Sequence, residues 1–111
     1  MNLTDEHPQE YPKGTPPLSK DEVDPLGKEV PEWTIDDEKL VRTLEFKDFQ
    51  EAFAFIARVA LLVEQEGHHP DIFNSWNKVK LSFWTHTAEG LTRNDFIMAA
   101  KIDSFAPPPP K

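Results

Sequence analysis

The apolar residues of this chain change period twice, and that switch limits the possible folds more than any other feature. From Lys39 to Phe46 the match to period two is partial: Leu40, Arg42, Leu44 and Phe46 oppose Val41, Thr43 and Glu45. β-Branched content and short length favour a strand there. From Lys47 to Glu66 the spacing becomes three and four, through Phe49, Ala52, Phe53, Ile56, Val59 or Ala60, and Val63. That stripe predicts an amphipathic helix, roughly 30 Å long at a rise of about 1.5 Å per residue. Phe55 and Leu62 lie off the stripe. They form either the rim of one wide core face or a second contact surface for another subunit, and the second is favoured because a small domain has little else to cover them. From Trp76 to His86 alternation returns. Val79, Leu81, Phe83 and Thr85 suit a core face, and Lys78, Lys80, Ser82, Trp84 and His86 suit a half-exposed one.

The punctuation agrees with these elements. Trp33-Thr34-Ile35 is a short strand candidate, and Asp36-Asp37, Asn74-Ser75 and Glu89-Gly90 give turn signals. Gly67 is placed to stop the long helix in a left-handed turn. Ser19 with Glu22, and Thr92 with Asp95, have capping-box spacing. The first box predicts a short helix in which Pro25 removes one amide donor. The second predicts a helix to about Asp103 with Phe96, Ile97, Ala99, Ala100 and Ile102 inward. The fold expected is α+β, an antiparallel sheet of three or four strands with helices packed on one face. Its open edges favour pairing between subunits, so a homodimer or homotetramer is expected.

A chain of 111 residues fits one domain with appended ends. We place the domain at residues 18–105. Residues 1–17 hold four prolines and only Leu3 and Tyr11 as sizeable apolar side chains. They are expected to form a disordered or extended arm that buries little. Residues 106–111 are a proline-rich tail that favours polyproline II, read either as a solvated end or as a ligand for a proline-recognising domain. The absence of cysteine excludes disulfides, thiolate metal sites and cysteine nucleophiles. A formal charge of −8 argues against direct nucleic-acid binding and leaves contact with a DNA-binding protein open. No apolar run is long enough for a transmembrane helix, and the first residues lack the basic and apolar pattern of a signal peptide. The expectation is a cytoplasmic protein without a membrane partner.

Three of the four histidines, His68, His69 and His86, fall at the ends of predicted elements. Imidazole has an ordinary pKa of about 6.5 and so serves as acid or base near neutrality. Such a cluster suggests acid–base chemistry or a metal site. Adjacent histidines leaving a helix diverge, and no His-x3-His pair is present, so one shared zinc ion is geometrically awkward. Each residue also has a plain structural role available. His68 and His69 suit a helix C-terminus, and Pro70 restricts its predecessor. Asp71 orients an imidazole or makes a turn. Glu64 is a solvated helix residue or a site residue. Trp76 is a pocket wall or plain core, and Asp95 is the carboxylate of a capping box.

The string Glu64-x3-His68-His69-Pro70-x5-Trp76-x9-His86-x8-Asp95 resembles the signature of the pterin-4a-carbinolamine dehydratases. Phe46-Lys47-Asp48-Phe49, Asn77-Lys78-Val79, Gly90-Leu91-Thr92 and Lys101-Ile102-Asp103 look like the same family, and the resemblance covers about Leu18 to Phe105. It implies dehydration of a 4a-hydroxytetrahydropterin, left by aromatic amino-acid hydroxylases, to the quinonoid dihydropterin. No metal or organic cofactor is implied. By this resemblance His68 and His86 do acid–base work on the 4a-hydroxyl, and His69 mainly positions the pterin, with a share in proton transfer left open. Glu64, Pro70, Asp71, Trp76, Thr85 and Asp95 are the implied substrate-binding positions. The alternative implied by the resemblance is a binding role on the same fold, in dimerisation of a homeodomain transcription factor or in assembly of ribulose bisphosphate carboxylase.

Overall fold

Three side chains start three helices. Ser19 accepts from the Glu22 N–H, Asp48 from the Glu51 N–H and Thr92 from the Asn94 N–H, each cap contributing about 1 kcal/mol. In the computed structural model, which describes residues 1–108, the helices are α1 (Lys20–Gly27), α2 (Phe49–Glu66) and α3 (Arg93–Asp103). Both predicted capping boxes are closed. Gly67 ends α2 with φ 74° and donates its N–H to the Val63 carbonyl at 2.8 Å, a left-handed position that a side chain with a Cβ disfavours.

The strands are β1 (Thr34–Asp36), β2 (Lys39–Glu45), β3 (Asp71–Ser75) and β4 (Lys78–Phe83), in the order β1-β2-β4-β3. All neighbours are antiparallel, with Leu40 opposite Phe83 and Leu44 opposite Val79. The helices cover one face of this sheet, so the fold is α+β. Leu40, Leu44, Val79, Leu81 and Phe83 meet α2 and α3 residues in one buried cluster, where each large side chain gains about 1.5–3 kcal/mol on burial. Arg42 falls on the same face. Its guanidinium is paired with Asp103 at 2.7 Å, and Trp33 Nε1 donates to the same carboxylate oxygen at 2.8 Å. The charge entering the core is thereby matched.

Several expectations are corrected. Helix α2 buries Ala52, Phe55, Val59 and Val63, whereas Phe49 and Phe53 face solvent. Phe55 is covered because Phe46 and Phe105 lie at ring distances of 5.2 and 5.8 Å, and Leu62 packs partly against the core. The proposed Phe55/Leu62 contact surface is therefore internal. The apolar side chains α2 presents outward are Phe49, Phe53 and Leu61. The turn signalled at Asn74-Ser75 falls just beyond it, because both residues end strand β3, and β4 is shorter than the predicted strand. The two strands turn at Trp76-Asn77, where Trp76 adopts φ 51°. Trp76 is consequently 67% exposed at a hairpin tip, neither core nor pocket wall in this chain. His86 lies beyond β4, at the start of a 3-10 turn (His86–Ala88).

Residues 1–17 bury more than their composition suggests. A 3-10 turn at Leu3–Asp5 plugs Leu3 into the core, leaving it 3% exposed. Lys101 donates to the Thr4 carbonyl, and the Leu18 N–H donates to the Leu91 carbonyl. In the tail, the Pro107 carbonyl accepts from Arg42. The polyproline reading also takes in Pro109, Pro110 and Lys111, which lie outside the described residues. Among the described residues, no helix is long and apolar enough to cross a membrane.

Candidate active site

His68, His69 and His86 line one cleft of about 770 Å³. The end of α2 supplies the first two. The segment after β4 supplies Trp84, Thr85 and His86, and the isolated bridge between Thr85 and Gly90 fixes that segment. The arm adds Pro8, Gln9, Glu10 and Tyr11.

His68 is the most constrained of the three. Its ring lies nearly parallel to Phe83, with centroids 5.8 Å apart and planes at 10°. Its Nε2 is 2.7 Å from Asp95 Oδ1. Asp95 is fully buried. Its Oδ2 accepts from Thr85 Oγ1 at 3.0 Å and from the Thr92 N–H at 2.9 Å. Thr85 has one hydroxyl proton and gives it to Asp95, so at its 2.7 Å contact with Thr92 it accepts. A carboxylate can only accept, so in this contact His68 donates from Nε2–H, which leaves Nδ1 to exchange a proton.

His69 stands differently. Its Nε2 is 2.6 Å from Glu64 Oε1, but both side chains are more than half exposed. The His86 ring packs against Trp84 with centroids 4.1 Å apart and the planes tilted by 37°. That contact orients the imidazole without engaging either nitrogen. Glu66, also on the cleft, is nearly covered and accepts from His7 Nδ1 at 2.7 Å, with Lys101 Nζ at 3.7 Å.

Of the residues singled out in the sequence, His68, His69, His86 and Thr85 share the cleft. Asp95 sits directly behind His68. Glu64 reaches the site only through His69. Pro70, Asp71 and Trp76 do not line the cleft of this chain: Pro70 joins α2 to β3, and Asp71 starts β3 opposite Ser82. Sequence reasoning missed Glu66, Asn94 and the arm residues. Asn94 exchanges two hydrogen bonds with the Gln9 backbone, at 2.9 and 2.6 Å, a pairing across 85 positions that no local pattern announces. Among the described residues, no group of three or more histidine and acidic side chains is arranged to hold a metal ion.

The sequence model of the pterin 4 alpha carbinolamine dehydratase family matches residues 16–105. The chain belongs to that family. A relative from Chlorobium luteolum, named "putative pterin-4-alpha-carbinolamine dehydratase", is 47% identical over 97 residues, which are 84% of this chain and 85% of that one. Another, from Gloeobacter violaceus and named in the same way, is 41% identical over 110 residues, covering 96% and 95%. Among solved structures, that of a transcriptional coactivator/pterin dehydratase from Brucella melitensis matches with a TM-score of 0.75 and 36% identity, covering 79% of this chain and 96% of that one. All three histidines and Asp95 lie within the matched family region, and the first fifteen residues lie outside it.

Proposed function

We propose that this chain dehydrates a 4a-hydroxytetrahydropterin to the quinonoid dihydropterin by histidine acid–base catalysis. The observation that carries the proposal is the gathering of three imidazoles on one cleft, one of them with Nε2 2.7 Å from a buried carboxylate. The reaction needs two proton movements. Hydroxide leaves C4a poorly, so the oxygen takes a proton from an imidazolium as the C4a–O bond breaks. The N5 lone pair forms the C4a=N5 bond, and the N5 proton passes to a neutral imidazole. One water departs, and no electron changes hands with an oxidant or reductant.

His68 and His86 are the acid–base pair in this reading. Asp95 keeps the proton on His68 Nε2 and supports the imidazolium when Nδ1 takes up a second one. His86, held by Trp84, serves the opposite transfer. Each positioned transfer contributes about 10²–10⁴ in rate. His69, at the exposed rim, contacts the pterin. The reading calls on no metal or organic cofactor.

The test follows the decay of chemically generated 4a-hydroxytetrahydropterin with purified, untagged chain and a metal chelator. Accelerated decay is expected. An unchanged rate overturns the function, and activity lost to the chelator and restored by zinc overturns the mechanism.

A further inference from the structure

Three consecutive residues at the start of α3 hold two different parts of the cleft. Asp95 holds His68. Asn94 holds the Gln9 backbone in both directions. Arg93 grips the Glu6 carboxylate through Nε and Nη2, both at 2.7 Å. At its other end the arm is tied to the turn that carries His86: the Gly14 N–H donates to the Thr87 carbonyl at 3.0 Å. Residues 10–13 therefore span from the anchor of His68 to the anchor of His86.

The local chemistry shapes that span, which runs without regular structure to Pro12 and then turns at Lys13-Gly14, where the Thr15 N–H donates to the Pro12 carbonyl at 3.1 Å. Pro8 and Pro12 restrict the backbone and offer no N–H to leave unpaired. Gly14 adopts φ 91°, which lets the chain turn in to meet Thr87. Tyr11, the only tyrosine in the chain, is half-buried within the span and lines the cleft. A flat bicyclic substrate binds well against aromatic faces. The β4 side of the cleft offers Trp84 and His86, and the arm side offers Tyr11.

We infer that the N-terminal arm is a substrate-positioning strap, with Tyr11 contacting the pterin ring and Asn94 acting as the positioning residue that holds the strap over the histidines. This rests on the dehydratase reading and extends it to a segment outside the matched family region. The strap contributes binding that is equal in the ground and transition states, so it sets KM and leaves proton transfer to the histidines.

The experiment compares the full chain with Tyr11→Ala and Asn94→Ala in the dehydration assay, with thermal unfolding on the same samples. Each variant is expected to raise KM about three- to ten-fold while kcat stays within about two-fold. The double variant should be little worse than Asn94→Ala alone, since both act through one strap. Among the described residues Tyr11 makes no side-chain hydrogen bond that folding would lose, so Tyr11→Ala decides the matter even if Asn94→Ala folds poorly. An unchanged KM in Tyr11→Ala beside an active parent overturns the strap alone. An inactive parent overturns the dehydratase reading and the strap with it.

Discussion

His68 and His69 are neighbours in sequence, and each brings Nε2 within 2.7 Å of a carboxylate oxygen. The two pairs nevertheless do different things. The His68 side chain is 13% exposed and its Asp95 partner 0%, against 55% and 78% for His69 and Glu64. In water, two unit charges 4 Å apart gain only about 1 kcal/mol. Holding two exposed side chains together offsets most of that. The Glu64 pair therefore fixes little. Asp95 has given up its water and depends on Thr85, Thr92 and His68 together, so it holds His68 in one orientation and one tautomer. Distance alone does not separate the pairs. The other donors on the carboxylate do.

The sharpest way to break this comparison is Asp95→Asn. The amide keeps the shape but places an NH2 where one of three donors now points. The expected result is a fall in kcat of about 10²-fold or more, as the His68 tautomer is lost. Folding stability should also drop by about 1.5–3 kcal/mol, because hydrogen bonds to a buried charged acceptor are removed. Turnover and urea unfolding measured on the same preparation check both. Near-normal turnover would show that Asp95 serves only the α3 cap and that the two histidines are not distinguished by their partners.

The sequence displayed neither of these pairs. Thr92 and Asp95 announced a helix cap, and the cap is present. The link from Asp95 to His68 depends on β4 and α3 closing over the end of α2, and local spacing carries no such information. The strands with clean alternation were legible for the same reason that caps were: Val79, Leu81 and Phe83 report their own surroundings. Strand β3 was not, because Ile72 and Phe73 lie on an edge strand and stay exposed. On α2 two apolar stripes compete, and period alone cannot choose between Phe53 and Phe55. The choice was made by Phe46 and Phe105, which arrive from either end of the helical sequence. The docking of the arm was hard to read because, beside Leu3, its anchors are polar: Glu6, Gln9 and a backbone N–H contribute nothing to an apolar count.

The arm supplies a pair of intermediate exposure, Glu6 with Arg93, which tests whether burial grades the effect. The Arg93 hydrogen bonds hold the Glu6 carboxyl below its ordinary value of 4.5. A depressed carboxyl pKa stabilises the docked arm above the ordinary value, and that stabilisation is lost as pH falls through the depressed one. Amide exchange at residues 6–14, corrected for intrinsic rates, should therefore speed up as the solution is acidified below about 4.5. The rest of the domain should keep its protection over the first part of that range. Glu6→Gln should exchange faster at neutral pH and lose this acid step. An acid step that persists in Glu6→Gln would assign it to another carboxylate.

The smallest effect belongs to Glu64→Ala. The variant removes the only side-chain hydrogen-bond partner of His69 among the described residues, yet leaves a solvated imidazole and a helix position that alanine favours. Stability should change by no more than about 0.5 kcal/mol. If His69 contacts the pterin from the rim, its ring finds its orientation against substrate rather than against Glu64, and kcat should stay within about two-fold of the parent. A fall in kcat approaching that of Asp95→Asn would mean that an exposed carboxylate can hold a catalytic ring as firmly as a buried one. The contrast between the two histidines would then lie in what each does to the substrate, not in how each is held.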